Sequence, residues 1–152
     1  MSLESVKAFF AEKAPEIEVI ELPTSTATVA LAAEAHGVEP GQIAKTLSFS
    51  AKDQTILIVT RGDARIDNRK FKDRFGAKPR MLDAETVLIE TSHPVGGVCP
   101  FGLPRDLPVY CDLSLKSFDE IVPAAGATNS AVRITPLKIA ELVSAEWVDV
   151  CQ

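Results

Sequence analysis

Six consecutive residues, Thr55-Ile56-Leu57-Ile58-Val59-Thr60, form an apolar, β-branched run without a charged position. A strand with one wet face alternates apolar and polar residues, so an uninterrupted run suits a central strand covered on both faces. The chain therefore needs a packed layer on each side of this segment. The preceding segment, Ile43-Ala44-Lys45-Thr46-Leu47-Ser48-Phe49, does alternate. Strand period places Ile43, Lys45, Leu47 and Phe49 on one face and Ala44, Thr46 and Ser48 on the other. With a turn at Asp53-Gln54 the two segments read as a hairpin.

Around this hairpin the sequence predicts helices. Ser2 is placed to cap a first helix ending near Ala14, where Pro15 stops it. Ile17 to Leu22 reads as a weak strand. Thr24-Ser25-Thr26 precedes an Ala-rich helix over about 27–36 that closes at Gly37, with His36 in its last turn. Asp67-Asn68 introduces a basic helix from Arg69 to Phe75, and Asp83 caps a short helix through Ile89. Val109 to Asp112 reads as a strand, and Ser114 to Phe118 as a helical turn. Strands follow over 120–125 and 131–134, then a helix capped by Thr135 with Pro136 at its first position, then a strand near Trp147. At 152 residues and 46% hydrophobic content the chain is long enough to bury a core without staples. Strands and helices mix without a regular βαβ rhythm, so the expected class is α+β, a mixed sheet flanked by helices, in a single domain over 1–152.

Composition excludes several functions. No run of about 18 apolar residues suggests a membrane span and no signal-peptide pattern opens the chain, so a soluble cytoplasmic protein without membrane association is expected. Cys99, Cys111 and Cys151 form no metal-type pair, and His36 and His93 are the only histidines. The expectation is reduced thiols, with no metal and no cofactor. A net charge of −5 argues against indiscriminate coating of nucleic acid. Yet 61–80 holds eight of the 16 basic residues, among them Arg61, Arg65, Arg69, Lys70 and Lys72, against three acidic ones. That asymmetry fits either a local anionic partner or a solvated helix face.

Two features point to a site. Gly96-Gly97-Val98-Cys99-Pro100-Phe101-Gly102 follows His93-Pro94. Adjacent glycines let a ligand approach backbone N–H groups, although the same residues also make ordinary tight turns. Lys45 shares a strand face with large apolar residues, where it either lines a pocket with its ammonium toward a ligand or snorkels past the strand end.

These segments carry a resemblance. Gln42 to Leu47, the Gly96 to Gly102 loop, and Ala124-Ala125-Gly126 running on to Arg133-Ile134-Thr135-Pro136 resemble the YbaK type of aminoacyl-tRNA deacylase, also known as the prolyl-tRNA synthetase associated editing domain. The resemblance covers nearly the whole chain. It implies a mixed, partly barrel-like sheet and metal-free hydrolysis of the ester joining a wrong amino acid to the 3′ end of a tRNA. Lys45 matches the lysine regarded as essential, and Gly96 to Gly102 the loop that contacts the aminoacyl group. Segments containing Thr26, and Gly126 with Thr128, resemble others that line the same pocket. Cys99 departs from the usual small residue. The expected substrates are Cys- or Ala-tRNA(Pro), with Ser- or Thr-tRNA as further candidates. The expected partners are tRNA and prolyl-tRNA synthetase, for a monomeric protein, with the basic stretch on the acceptor stem. His93 as a general base, Cys99 as a nucleophile and a non-catalytic aminoacyl-tRNA or synthetase binding module are the alternatives.

Overall fold

The computed structural model describes residues 2–152. Its centre is the expected hairpin, β2 (Ile43–Ala51) and β3 (Gln54–Arg61), paired antiparallel from Ala44↔Arg61 to Ala51↔Gln54. The turn falls at Lys52-Asp53, one residue earlier than expected, and both residues have positive φ (49° and 63°). Such a two-residue turn matches the right-handed twist of the flanking strands.

Strands β4 (Arg80–Met81), β5 (Val109–Asp112), β6 (Val122–Pro123) and β8 (Glu146–Val148) complete a six-stranded mixed sheet of order β4-β2-β3-β5-β8, with β6 also on β2. β3 to β5, β5 to β8 and β2 to β6 run parallel, and β2 to β4 antiparallel. No pairing among the described residues closes this sheet into a barrel. A separate two-stranded ribbon joins β1 (Ile20–Glu21) to β7 (Ser130–Ala131).

The central run is covered on both faces. Leu57 and Val59 pack with Ala44, Val109 and Cys111 against Val6 and Phe10 of α1 (Ser2–Lys13), Phe101 of the glycine loop and Ile139 of α5 (Pro136–Val143). Ile56 and Ile58 pack with Phe49 against Phe71 of α3 (Asn68–Phe75), Val148 and Val150. Ile56 to Val59 are at most 2% exposed, and each such side chain contributes about 1.5–3 kcal/mol by leaving water.

Helix boundaries follow the caps. Asp67 accepts from the N–H groups of Arg69 and Lys70, Asp83 from Thr86 at the start of α4 (Ala84–Thr91), and Thr135 from Lys138. Two expected helix starts are corrected. The helix expected from residue 27 is α2 (Val29–His36), because Thr28 makes the capping bond to Leu31. Ser2 lies inside α1, and its hydroxyl is bound elsewhere. The strands expected over 120–125 and 131–134 shrink to two-residue pieces held by the bridges Ile121↔Ile134 and Ala124↔Ala131. No helix of the described residues is long and apolar enough to cross a membrane.

Candidate active site

β2 is unevenly partnered along the edge away from β3. β6 covers it at Ile43 and Ala44, β4 covers it at Phe49 and Ser50, and Leu82 N–H donates to Ser48 O at 3.1 Å. Among the described residues no strand pairs with Lys45, Thr46 or Leu47 on that side. Backbone groups point alternately to the two sides of a strand, so Thr46 directs its N–H and C=O toward this gap, as Ser48 does.

A cavity of about 350 Å³ opens at the gap. Its walls come from β2, from Thr26 to Val29 at the start of α2, from Val87 of α4, from Val95, Gly96 and Val98, and from Val122, Ala124, Ser130 and Ala131. Lys45 belongs to the same lining, but its side chain leaves β2 on the face of α3 and donates to Ala64 O at 2.6 Å. The Lys45 pKa is lowered, first by burial, with Arg65 adding to the effect; Cys151 and Asp63 oppose it. The gap is what lets a lysine from one face of the sheet and a glycine loop from the other border one cavity.

The glycine loop divides its residues between three surroundings. Gly96 and Val98 face the cavity. Gly96 has φ +92°, and a Cβ there would stand 2.9 Å from that of Ala27, which requires glycine twice over. Cys99 and Phe101 are wholly buried in the main core. Pro100 and Gly102 line a different cavity of about 590 Å³, with Phe9, Lys13, Arg105 and Glu146. That larger hollow holds neither Lys45 nor the double glycine, so the smaller one is the candidate site. Gly97 N–H donates to Pro94 O, whereas among the described residues Gly96 N–H and Val98 N–H donate to no protein acceptor.

Segments distant in sequence meet beside the cavity. Thr26 N–H and hydroxyl both donate to Thr128 O (2.7 and 3.2 Å), and Gly126 N–H donates to Gly97 O at 3.0 Å. Thr26 lines the cavity; Gly126 is buried behind it, and Thr128 is exposed. His93 is fully buried and outside the cavity lining. Burial pushes the Cys99 thiol up to about 12, so it holds its proton and lacks the thiolate that a nucleophile needs.

The basic stretch is only partly free. Arg61 pairs with Asp63 and stacks on Phe118, Lys70 pairs with Asp149, and Arg74 with Glu146. Arg65, Arg69 and Lys72 are exposed and form no ion pair among the described residues. Arg65 follows the carbonyl that holds Lys45, at the edge of the site.

Two lining residues carry polar atoms that are left without a partner among the described residues. Thr46 Oγ1 and His36 Nε2 are buried without a hydrogen-bond partner. The His36 pKa is lowered by burial and then by Arg133, so the ring is not the cation expected at a helix C-terminus. A histidine closing an amphipathic helix gives no signal of this in sequence; only docking α2 beside β2 does.

The profile of the family described as aminoacyl-tRNA editing domain matches residues 24–142, and the chain belongs to that family. It is 51% identical to the uncharacterized protein YwhH of Bacillus subtilis (strain 168), across all of this chain and 98% of that one. It is 32% identical to a proline–tRNA ligase of Desulfovibrio desulfuricans over 89% of this chain, which spans 23% of that ligase. A solved structure described as a candidate trans-editing enzyme for prolyl tRNA synthetase superposes with a TM-score of 0.91 at 32% identity, covering 99% of this chain and 97% of the other.

Proposed function

We propose that this protein is a trans-acting aminoacyl-tRNA deacylase that hydrolyses the ester of a mischarged tRNA by positioned water. The observation that carries the reading is the pair of undonated N–H groups, Gly96 and Val98, on the wall of a cavity that Lys45 also borders. An ester is already activated, so the site has to hold it, meet the oxyanion that forms when water adds, and exclude competing geometries. The two N–H groups supply directional donors to that oxyanion. Water adds to the carbonyl carbon, the bond to the ribose 3′-oxygen breaks, and the proton lost by water reaches the leaving oxygen by way of the substrate's own 2′-hydroxyl. His93 and Cys99, both sealed from solvent, take no part in the transfer.

Lys45 suits phosphate better than oxyanion. Its ammonium lies on the α3 face, bonded to Ala64 O and beside Arg65. There it anchors the terminal phosphate, with Arg65, Arg69 and Lys72 continuing the cationic track along the acceptor stem. Trans-editing beside prolyl-tRNA synthetase, by a monomer in the cytoplasm where tRNA is charged, follows from the same reading; the ligase relatives and the candidate trans-editing neighbour support it.

The lining suits a small amino acid. Ala27, Ala32, Ala44, Ala124, Ala131 and five valines make the wall apolar, while Thr46 and His36 offer unpaired polar atoms. A buried polar atom left unpaired costs about 1–3 kcal/mol, so a ligand hydroxyl or thiol gains over a methyl group. The preferred substrates are Cys-tRNA(Pro), then Ser- or Thr-tRNA, ahead of Ala-tRNA(Pro). Purified protein assayed against these four mischarged tRNAs side by side is expected to release cysteine fastest. Release of none refutes the deacylase reading, and equal release of alanine and cysteine refutes the preference.

A further inference from the structure

His93 is a buried titratable group that links separate segments behind the site. Its Nε2 lies 2.8 Å from Phe101 O, and a carbonyl only accepts, so Nε2 carries the proton and donates. In the neutral ring Nδ1 is then an acceptor, 2.5 Å from the Ser2 hydroxyl. That hydroxyl has one proton, which it shares between two acceptors, Nδ1 and Gly126 O, and Gly126 N–H holds Gly97 O. One imidazole thus closes the base of the glycine loop, from His93 before it to Phe101 near its end. Through Ser2 it ties that base to α1 and to the turn that grips Gly97. The ring is wholly buried, so water cannot replace these contacts.

We propose that His93 is a positioning residue for deacylation: acting through the Phe101 carbonyl and the Ser2 hydroxyl, it sets the wall that carries the Gly96 and Val98 N–H groups. The inference rests on the deacylase reading for its consequence, but its geometric content is separable. If a mispositioned loop is the only defect, the loss falls on the chemical step and not on tRNA binding, which the exposed cations provide.

The test uses Ser2→Ala, His93→Gln and His93→Leu, with steady-state and single-turnover deacylation and hydrogen exchange at Gly96 and Val98. Ser2→Ala removes one link at a half-exposed position and leaves the core intact. It is expected to lower kcat about tenfold while KM stays within about twofold. A glutamine amide can donate to Phe101 O and accept from Ser2, so His93→Gln is expected within about fivefold of wild type, and His93→Leu about a hundredfold below it. Ser2→Ala in the His93→Leu background should add little, since the two act as a unit. Wild-type kcat in Ser2→Ala, or equal losses in the Gln and Leu variants, overturns the proposal; should His93→Leu fail to fold, Ser2→Ala decides. If wild-type protein deacylates nothing, the deacylase reading falls and exchange alone decides positioning. Faster exchange at Gly96 and Val98 in Ser2→Ala supports it, and unchanged exchange overturns it.

Discussion

Gly97→Ala tests whether contact between two loops shapes the site. A Cβ at Gly97 would stand 2.9 Å from Ala127 N and Gly126 C and 3.0 Å from Ala127 C. All three atoms are backbone, so no side chain can swing aside. Relief to ordinary contact, near 3.4 Å, needs the loops to part by about 0.5 Å, which stretches the 3.0 Å bond from Gly126 N–H to Gly97 O toward its limit. Gly97 is not among the glycines with positive φ, so the penalty is steric and not conformational. Overpacking of this kind costs about 1–3 kcal/mol, and the weakened hydrogen bond adds roughly 1 kcal/mol. At about 2–4 °C per kcal/mol for a domain of this size, Tm should fall by roughly 5–15 °C. The displaced wall carries the Gly96 and Val98 donors, and misplacement approaching 1 Å costs up to about a hundredfold in rate. Gly37→Ala is the control. Its φ is +67° with no atom within 4 Å, so about 1–2 kcal/mol is lost to backbone strain alone and single-turnover deacylation stays unchanged. Thermal unfolding and single-turnover assays on both variants suffice, and wild-type Tm and rate in Gly97→Ala refute the reasoning.

Lys45→Met keeps the aliphatic stem but removes the ammonium bound to Ala64 O; deacylation should fall at least about a hundredfold with little change in the unfolding midpoint, and near-wild-type turnover would sink the assigned role. Arg69→Glu with Lys72→Glu should weaken tRNA binding and flatten its dependence on log salt by about two charges' worth; an unchanged slope in a filter-binding titration returns these residues to a solvated face. Cys99, Cys111 and Cys151 are each pushed up to about 12 by burial. Unfolded thiols ionise near pH 8.5 while the folded ones keep their protons. Between about pH 9 and 12 the native state therefore binds more protons, and stability falls by up to about 1.4 kcal/mol per pH unit for each thiol. Urea midpoints that stay flat from pH 8 to pH 10 would contradict this. Iodoacetamide at pH 8 should leave Cys99 unmodified in the folded protein and Cys99→Ala active; rapid labelling of native Cys99 would restore a reactive thiol.

Much of the architecture was legible because local rules and global packing agree. The hairpin, the two-sided burial of Ile56 to Val59 and the caps at Asp67, Asp83 and Thr135 each follow from short-range pattern. The misreadings arose where several local solutions compete. Thr24, Ser25, Thr26 and Thr28 can all cap a helix; Thr28 prevails, which leaves Thr26 free to hold Thr128. Residues 120–134 have strand composition, yet Pro123 lacks an N–H, and the segment keeps only short bridges.

Sequence by itself determined the central hairpin, the parity that sets Lys45 opposite Ala44 and Thr46, and the glycines needed where φ is positive or backbones touch. These depend on residue type and on spacings of a few positions. Tertiary structure alone decided that β2 lies open between β6 and β4, that Gly96 and Val98 face the cavity while Cys99 and Phe101 are sealed in the core, and that the His93 ring is buried against Phe101 O and Ser2. Each outcome depends on which distant segments pack together, and no local spacing records that. The cavity exists because two partner strands stop short of one another along a third.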